Sequence, residues 1–344
     1  MRSTLAKAGV VSALVGGGAA VALAVAVGAC VGDDPDRVAI VPDAAVGVDG
    51  SPSDVSDGGA VGQDSGDAGS PRPCDPKGAF GPPEEVGGLN VPGGANDANA
   101  TFTADERIVY FHSDRSATLR VYTARRNRRD EAFTNVSLVS FGGDAGVVHS
   151  PSVTGDGMHM YVSRNKDGTA EHDLAYSKRV GVEWQPVVDV SGDVNTYTPG
   201  SGVQHEADPF PSSDGSSLYF MAETAGNQFQ IHHAACAVPG QCTGRKVLPE
   251  LTIQRGYWST RPVVSHDELT IFFAAPPEGD GFKNDIWVAE RARKGDPFGV
   301  PSKIFGSAGI DEQPTWLSAD GCRLYFSSNQ NGAGYDNFVT ERAK

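Results

Sequence analysis

The stretch DEQPTWLSADGCRLYFSSNQNGAGYDNF, from Asp311 to Phe338, decides the fold because its pattern recurs along the chain. It holds a proline, an Asp-Gly turn, a short apolar run, a glycine-containing loop and an aspartate beside an aromatic residue. With four earlier copies, the turn aspartates are Asp105, Asp156, Asp214, Asp267 and Asp320. They follow one another at intervals of 51, 58, 53 and 53 residues. Self-similarity at this period is typical of solenoids and propellers.

Each copy predicts a small antiparallel sheet. Its elements are short, rich in β-branched and aromatic residues, and bounded by turn residues, which is the pattern of strands. The Asp-Gly or Asp-Glu pair predicts the hairpin between the first two strands. A second aromatic strand follows, and then a fourth segment such as EWQPVVDV or PFGVPSKIF. Four-stranded units repeated radially form a β-propeller, so the chain predicts an all-β fold with five blades.

The N-terminal part of the repeat region predicts how the ring closes. The fifth copy reaches Lys344 without a fourth strand. The segment AFGPPEEVGGLN, residues 79–90, matches PFGVPSKIFGSAG, residues 297–309, which holds the fourth strand of blade four. We therefore expect residues 79–90 to complete blade five. Such closure removes an open sheet edge that would invite aggregation.

The first residues have the pattern of an export signal. Arg2 and Lys7 precede an apolar segment, residues 10–27, that ends in Val-Gly-Ala-Cys. Cys30 after Gly-Ala resembles the lipobox of bacterial lipoproteins. The resemblance implies that residues 1–29 are removed and that Cys30 carries the acyl chains. The alternative is an ordinary signal peptide with an incidental cysteine.

The composition of residues 30–73 predicts a disordered acidic linker that begins at the lipidated cysteine. Residues 31–73 hold nine aspartates and no aromatic residue, so they cannot bury enough apolar surface to fold. The propeller is expected over residues 74–344. Val31 and Gly32 carry no charge that would favour retention at the inner membrane, and we therefore expect the outer membrane.

The charge of the chain excludes some partners. The formal net charge is −15, and removal of Arg2 and Lys7 makes the mature chain two units more negative. Nucleic acids require a basic face, and so does adhesion to anionic lipid headgroups. We expect no nucleic-acid partner, and membrane attachment through the lipid anchor alone.

The remaining cysteines predict two disulfides. With Cys30 assigned to lipid, four are left in an exported chain, and four cysteines allow three pairings. Cys236 and Cys242 flank one turn, while Cys74 precedes the closing strand and Cys322 lies at the hairpin of blade five. We expect Cys236 to pair with Cys242, and Cys74 with Cys322.

The repeat resembles that of a known family. The unit P-x-x-S-x-D-G-x-x-L-Y-F-x-S, followed by D-I-W/Y-V, resembles the WD40-like Pro-Asp repeat of TolB-type propellers over residues 79–344. Some copies depart from it, because Ala100 replaces the proline and Glu106 and Glu268 replace the glycine. The resemblance implies the fold. In that family some members act in envelope complexes through protein–protein contacts. The sequence before the repeats predicts a linker and not an N-terminal α/β domain like that of TolB, so the resemblance does not imply the role of TolB itself.

Polar residues near the repeat proline are the candidate site. Asp97, Glu206 and Asp311 lie three positions before it or its equivalent, where the innermost strands should begin around one mouth of the channel. They are also placed to hold neighbouring blades together, and both roles remain open. The candidate ligand-binding residues are His149, His205, Glu206, Asp208, Arg261, Asp311 and Glu312.

The functional prediction is a binding module. The sequence has no Cys-x-x-Cys, no His-Glu-x-x-His and no phosphate-binding glycine loop, so we expect no metal and no cofactor. We expect a monomeric, non-catalytic propeller that binds an envelope protein, a glycan or peptidoglycan. The alternative is a glycoside-hydrolase-like enzyme that uses Asp97, Glu206 and Asp311 as acid and as base or nucleophile. A purely structural envelope component is a third possibility.

Overall fold

The computed structural model describes residues 74–143, 145–165, 171–195, 205–224, 228–253, 258–278, 283–332 and 334–343. The signal peptide, the lipidated Cys30 and the linker predicted before residue 74 lie outside this part of the chain. Within the described ranges there is no helix with the length and apolar character needed to cross a bilayer.

Five small sheets form the molecule, as the repeats predicted. The strands of blade one are β2 (Asp97–Phe102), β3 (Ile108–Ser113), β4 (Arg120–Arg125) and β5 (Thr134–Leu138). Those of blade two are β6 (Val147–Val153), β7 (His159–Asn165), β8 (Asp173–Val180), β9 (Glu183–Trp184) and β10 (Val188–Asp189). Those of blade three are β11 (Ser191–Gly192), β12 (Glu206–Pro211), β13 (Ser217–Thr224), β14 (Gln228–Val238) and β15 (Gln241–Val247).

The last two blades complete the ring. The strands of blade four are β16 (Thr260–Val264), β17 (Thr270–Ala275), β18 (Asp285–Glu290) and β19 (Ser302–Phe305). Those of blade five are β20 (Glu312–Leu317), β21 (Arg323–Ser328), β22 (Asp336–Glu341) and β1 (Glu84–Glu85). A short 3-10 helix, Pro249–Leu251, follows blade three. The first strands β2, β6, β12, β16 and β20 contact one another in that order around the axis, and β20 contacts β2. We call the end at which these five strands begin the upper mouth.

The recurring aspartate shapes the first hairpin of every blade. In blade one the hydroxyl of Thr103 donates to Asp105 at 2.6 Å, and the backbone N–H of Arg107 donates to the same oxygen at 3.1 Å. An aspartate that accepts a backbone N–H two residues later makes an Asx turn. The same hydroxyl-to-carboxylate bond joins Thr154 to Asp156, Ser212 to Asp214, Ser265 to Asp267 and Ser318 to Asp320. The aspartates are therefore structural residues.

The predicted closure is confirmed. Strand β1 pairs antiparallel with β22, with Glu84 opposite Val339, so the N-terminal segment supplies the outer strand of blade five. The Cys74–Cys322 disulfide joins the same two parts of the chain. The Cys236–Cys242 disulfide joins β14 to β15. Both pairings agree with the prediction.

Blades two and three each have one strand more than the repeat predicts. In blade two, β9 forms a short hairpin with β8 before β10 pairs with it. In blade three, β11 lies parallel to β15 at the outer edge. These additions are on the outside of the ring and leave the axis unchanged.

Candidate functional site

A β-bulge interrupts every innermost strand at the repeat proline or its equivalent. The register shifts between Ala98 and Thr101 in β2, and at the corresponding places of β6, β12, β16 and β20. In four strands the residue before the proline position has a positive φ: Asn99 (57°), Ser150 (48°), Asp208 (51°) and Arg261 (55°). Each such residue costs about 1–3 kcal/mol and persists only where its surroundings hold it. Bulges re-aim side chains, and these four side chains turn towards the axis.

Hydrogen bonds between blades hold three of these residues. Their backbone N–H groups donate to side chains on the second strand of the preceding blade. The pairs are Asn99 with Ser327 Oγ at 2.9 Å, Ser150 with His112 Nδ1 at 3.1 Å, and Asp208 with Ser163 Oγ at 3.0 Å. The strained backbone is therefore fixed by contacts that exist only in the assembled ring.

The four bulge residues line a small cavity on the axis. The cavity between the five innermost strands has a volume of about 20 Å³. A volume of this size holds about one water molecule. A sugar or a peptide cannot enter it, so a ligand on the axis has to bind at a mouth.

An ion pair lies at the base of the upper mouth. Arg261 Nε lies 3.3 Å from Asp208 Oδ2, and the hydroxyl of Ser150 donates to Asp208 Oδ1 at 2.9 Å. His149 Nδ1 is 3.0 Å from the same hydroxyl. Burial, followed by the neighbouring His172 and Arg261, lowers the pKa of His149 to about 3. His149 is therefore neutral at physiological pH.

A row of aromatic rings crosses blades one to four at the upper mouth. The row consists of His112, His149, His172, His205, Phe229 and Trp258, in that order. Neighbouring ring centroids are 4.8 Å to 6.1 Å apart. The closest polar contact in the row is 3.2 Å, between the Nδ1 atoms of His172 and His205. Apart from His112, the rings are half-buried and reach the surface.

Sequence reasoning found only part of this row. His149 and His205 were candidates because they lie near the repeat proline. His112, His172, Phe229 and Trp258 were missed. His112 occupies the same position of the second strand as Ser163 and Ser327, and that alignment was the one available signal for it.

Two of the predicted acids lie inside the blades. Asp97 is fully buried and accepts from Arg115 Nη2 at 2.5 Å and from the backbone N–H of Val91 at 2.8 Å. Glu206 is 3% exposed and accepts from Arg245 Nη1 at 2.5 Å. Each carboxylate is neutralised by an arginine of its own blade.

The third predicted acid, Asp311, lies beside blades four and five. It accepts hydrogen bonds from the amide of Asn284 at 2.9 Å, from the amide of Gln313 at 3.1 Å and from the hydroxyl of Tyr335 at 2.9 Å. Burial, and then the charge of Asp311, raise the pKa of the Tyr335 hydroxyl. Asp311 thus anchors the segments that lead into β18, β20 and β22.

Glu312 faces a different cavity from the other candidates. A cleft of about 460 Å³ opens between blades four and five, with Phe80, Phe272 and Phe326 among its walls. Glu312 is 3% exposed at this cleft, and its Oε2 atom has no hydrogen-bond partner among the residues described. Burial, followed by the charge of Asp285, raises the pKa of Glu312 to about 7.

The structure therefore brings four of the predicted ligand-binding residues together: His149, His205, Asp208 and Arg261. With His172, Phe229 and Trp258 they form what we call the upper-mouth cluster. Glu206, Asp311 and Glu312 lie elsewhere. In the described part of the chain no group of three or more His, Cys, Asp or Glu side chains has the arrangement of a metal site.

Comparison with known proteins gives a fold and no family. No family model matches the chain, and no curated protein matches it. Among solved structures, a putative TolB from Agrobacterium tumefaciens is 15% identical, with a TM-score of 0.45, over 68% of this chain and 70% of that one. A family 117 glycoside hydrolase from Zobellia galactanivorans is 11% identical, with a TM-score of 0.52, over 77% and 90%. The periplasmic gluconolactonase of Pseudomonas aeruginosa is 18% identical, with a TM-score of 0.41, over 70% and 68%.

The likeness to the family 117 glycoside hydrolase, with its TM-score of 0.52, supports the propeller architecture only. Fold does not determine function. The two disulfides indicate an exported protein, because disulfides persist in oxidising compartments.

Proposed function

We propose that this protein is a lipid-anchored envelope propeller whose upper-mouth cluster binds an envelope protein or a glycan without catalysis. The observation that carries the proposal is the convergence of half-buried rings, among them His205, Phe229 and Trp258, above the Asp208–Arg261 ion pair. Binding sites combine aromatic walls with a few fixed polar groups. Aromatic rings contribute large contact areas, and the strained backbone beneath them keeps the polar groups in place.

The surroundings of the four predicted carboxylates favour binding over glycoside hydrolysis. Hydrolysis needs one carboxyl group that holds a proton and a second that faces the sugar. Asp97 and Glu206 are buried under arginines, and Asp311 is held by three hydrogen bonds. Glu312 has a raised pKa, but it faces the outer cleft.

The anchor belongs to the same proposal. Residues 1–29 act as a lipoprotein signal, Cys30 carries the lipid, and residues 30–73 link the propeller to the outer membrane. Two or more acyl chains hold a protein stably on a bilayer. Cys30→Ser should abolish incorporation of labelled fatty acid. Labelling that persists in the variant would contradict the anchor and would leave the binding proposal intact.

Affinity capture tests the binding proposal. The exported protein is immobilised and exposed to solubilised envelope, and in parallel to a panel of soluble glycans and peptidoglycan fragments. The test variant replaces His205, Phe229 and Trp258 by alanine. The control replaces Val182 and Val300 by alanine, because these valines are 79% and 94% exposed in loops at the opposite end of the blades.

We expect wild type and the control to retain one partner or one glycan class, and the test variant to lose it. Equal retention by all three proteins would contradict a site at the upper mouth. Turnover of a glycan that is abolished in Glu206→Gln, with the fold intact, would favour the enzyme.

A further inference from the structure

The geometry points to a binding site for a divalent transition-metal ion between His172 and His205 at the upper mouth. Their Nδ1 atoms are 3.2 Å apart. Histidine binds Zn²⁺ at Zn–N distances of 2.0–2.1 Å, so two nitrogens in a tetrahedral arrangement lie about 3.3 Å apart. The ring centroids are 5.3 Å apart and the ring planes are tilted by 34° to each other. An ion bound by both Nδ1 atoms would replace the proton that joins them in this structure.

The backbone holds the two histidines in position before any ion binds. His172 and His205 form a parallel β-bridge between blades two and three. The N–H of Glu206 donates to the carbonyl of His172 at 2.9 Å, and the N–H of Glu223 donates to the carbonyl of His205 at 2.9 Å. Because these hydrogen bonds fix the backbone of both histidines, ion binding needs little change in the backbone.

Carboxylates act electrostatically on the proposed ligands. Asp173 and Asp208 both act electrostatically on His172, and Arg261 is paired with Asp208. Carboxylates therefore lie close enough to the imidazoles to interact with a bound cation.

The ligand type selects the class of metal. Imidazole nitrogens suit zinc, copper, nickel and cobalt, whereas calcium and magnesium prefer oxygen ligands. Two protein ligands leave coordination positions for water or for a group supplied by a bound partner. His149 is the nearest further imidazole, with its ring centroid 4.8 Å from that of His172.

This inference goes beyond the proposed function, since it does not require a partner. It also differs from the sequence prediction of no metal. The sequence offered no spacing motif, because the two histidines are 33 residues apart and meet only across a blade junction.

Metal titration of the exported protein tests the site. The protein is first stripped with EDTA, and Zn²⁺, Cu²⁺, Ca²⁺ and Mg²⁺ are then titrated by calorimetry. We expect a single equivalent of Zn²⁺ or Cu²⁺ to bind, Zn²⁺ to raise the unfolding temperature, and Ca²⁺ and Mg²⁺ to do neither. His172→Gln and His205→Gln should each weaken binding by at least about tenfold, as losses around metal sites typically do. The control is His266→Gln, because His266 is exposed on the hairpin of blade four.

The Cu²⁺ complex of the wild type gives an answer that does not depend on the folding of a variant. Its electron paramagnetic resonance spectrum should carry hyperfine coupling from at least two imidazole nitrogens. Absence of Zn²⁺ and Cu²⁺ binding, binding unaffected by His172→Gln and His205→Gln, or a spectrum with fewer than two nitrogens would overturn the site. None of these outcomes bears on whether the upper-mouth cluster captures a partner.

Discussion

Glu106 illustrates how a departure from the repeat becomes a junction between blades. Blades two, three and five have Gly157, Gly215 and Gly321 in the left-handed conformation after the turn aspartate. Glu106 adopts the same conformation, with φ 59°, despite its side chain. Its buried carboxylate accepts from Arg323 Nη2 at 2.5 Å. The hydroxyl of Tyr325 donates to it at 2.7 Å. The backbone strain is offset by contacts between blades one and five.

The other departure has the same consequence. Glu268 of blade four also has a positive φ, 56°, and accepts from the hydroxyl of Tyr219 in blade three at 2.8 Å. In both cases a tyrosine of the preceding blade reaches the turn of the next one. Glu106 and Glu268, which replace the glycine after the turn aspartate, therefore have a structural role.

Glu106→Gln should destabilise the ring. The change removes the buried carboxylate closest to Arg323 and leaves only the longer contact with the half-exposed Asp320, at 3.4 Å. Breaking a buried pair typically costs about 3–5 kcal/mol. The free energy of unfolding, measured in urea, should fall by about 3 kcal/mol. Asp130→Asn is the control, since its pair with Arg128 is 69% exposed at the aspartate and surface ion pairs contribute little to stability. Equal losses in the two variants would contradict this assignment.

Glu312 should make stability depend on pH. Its pKa is raised from 4.5 to about 7 in the folded protein, so folding favours the protonated form. The stabilisation is fully present below pH 4.5 and is lost as pH rises through about 7. Glu312→Gln should remove roughly 2 kcal/mol of the decline in unfolding free energy between pH 5 and pH 8.

The control for this change is Glu290→Gln, because Glu290 is exposed at the same cleft. Its pH profile should follow that of the wild type. If Glu312→Gln and the wild type lose the same free energy between the two pH values, burial does not hold the proton on Glu312.

At the scale of elements, closure depends on a very short strand. β1 has two residues, and isolated pairing of that length has little stability. Other contacts extend it, because the N–H of Gly81 donates to the carbonyl of Glu341 and that of Val86 to the carbonyl of Asn337. The Cys74–Cys322 disulfide then fixes the start of the segment.

The two disulfides should differ in their effect on stability. Cys74 and Cys322 are 248 residues apart, and the chain-entropy relation assigns that loop roughly 5 kcal/mol. Cys236 and Cys242 are 6 residues apart, which corresponds to roughly 2 kcal/mol. Removal of each pair by serine substitution should lower the midpoint of urea unfolding more for Cys74–Cys322. A larger loss for Cys236–Cys242 would contradict this order.

Repetition explains why most elements could be predicted. The turn aspartates, the apolar runs and the matched closing segment predict the positions of the five blades from the sequence alone. Strand β11 could not be predicted, because Ser191–Gly192 has no strand pattern and pairs only through tertiary contact with β15. Gly192 has φ 113°, and a Cβ there would lie 1.8 Å from the carbonyl oxygen of Cys242. From the sequence alone, a glycine in a connecting loop indicates a turn. Its strand pairing is evident only when the position of β15 is known.

At the scale of the whole molecule, the site was only partly predictable. Counting from the repeat proline placed Asp97 and Glu206 at the correct end of the innermost strands. Their carboxylates, however, lie inside the blades and pair with arginines there, and they do not face the axis. The β-bulge turns the residue directly before the proline to the axis, as for Asp208 and Arg261. The row of rings could not be predicted, since its members come from different strands of four blades and meet only when the ring closes.

The central claim is that the upper mouth is the binding surface of a closed ring. Site-specific photo-crosslinking in intact cells tests it directly, with a photoreactive residue at Trp258 in one variant and at Val300 in the other. Trp258 lies at the upper mouth, and Val300 is 94% exposed at the opposite end. We expect a discrete crosslinked product from position 258 and none from position 300. A product from position 300 alone, or from neither position, would contradict a binding surface at the upper mouth.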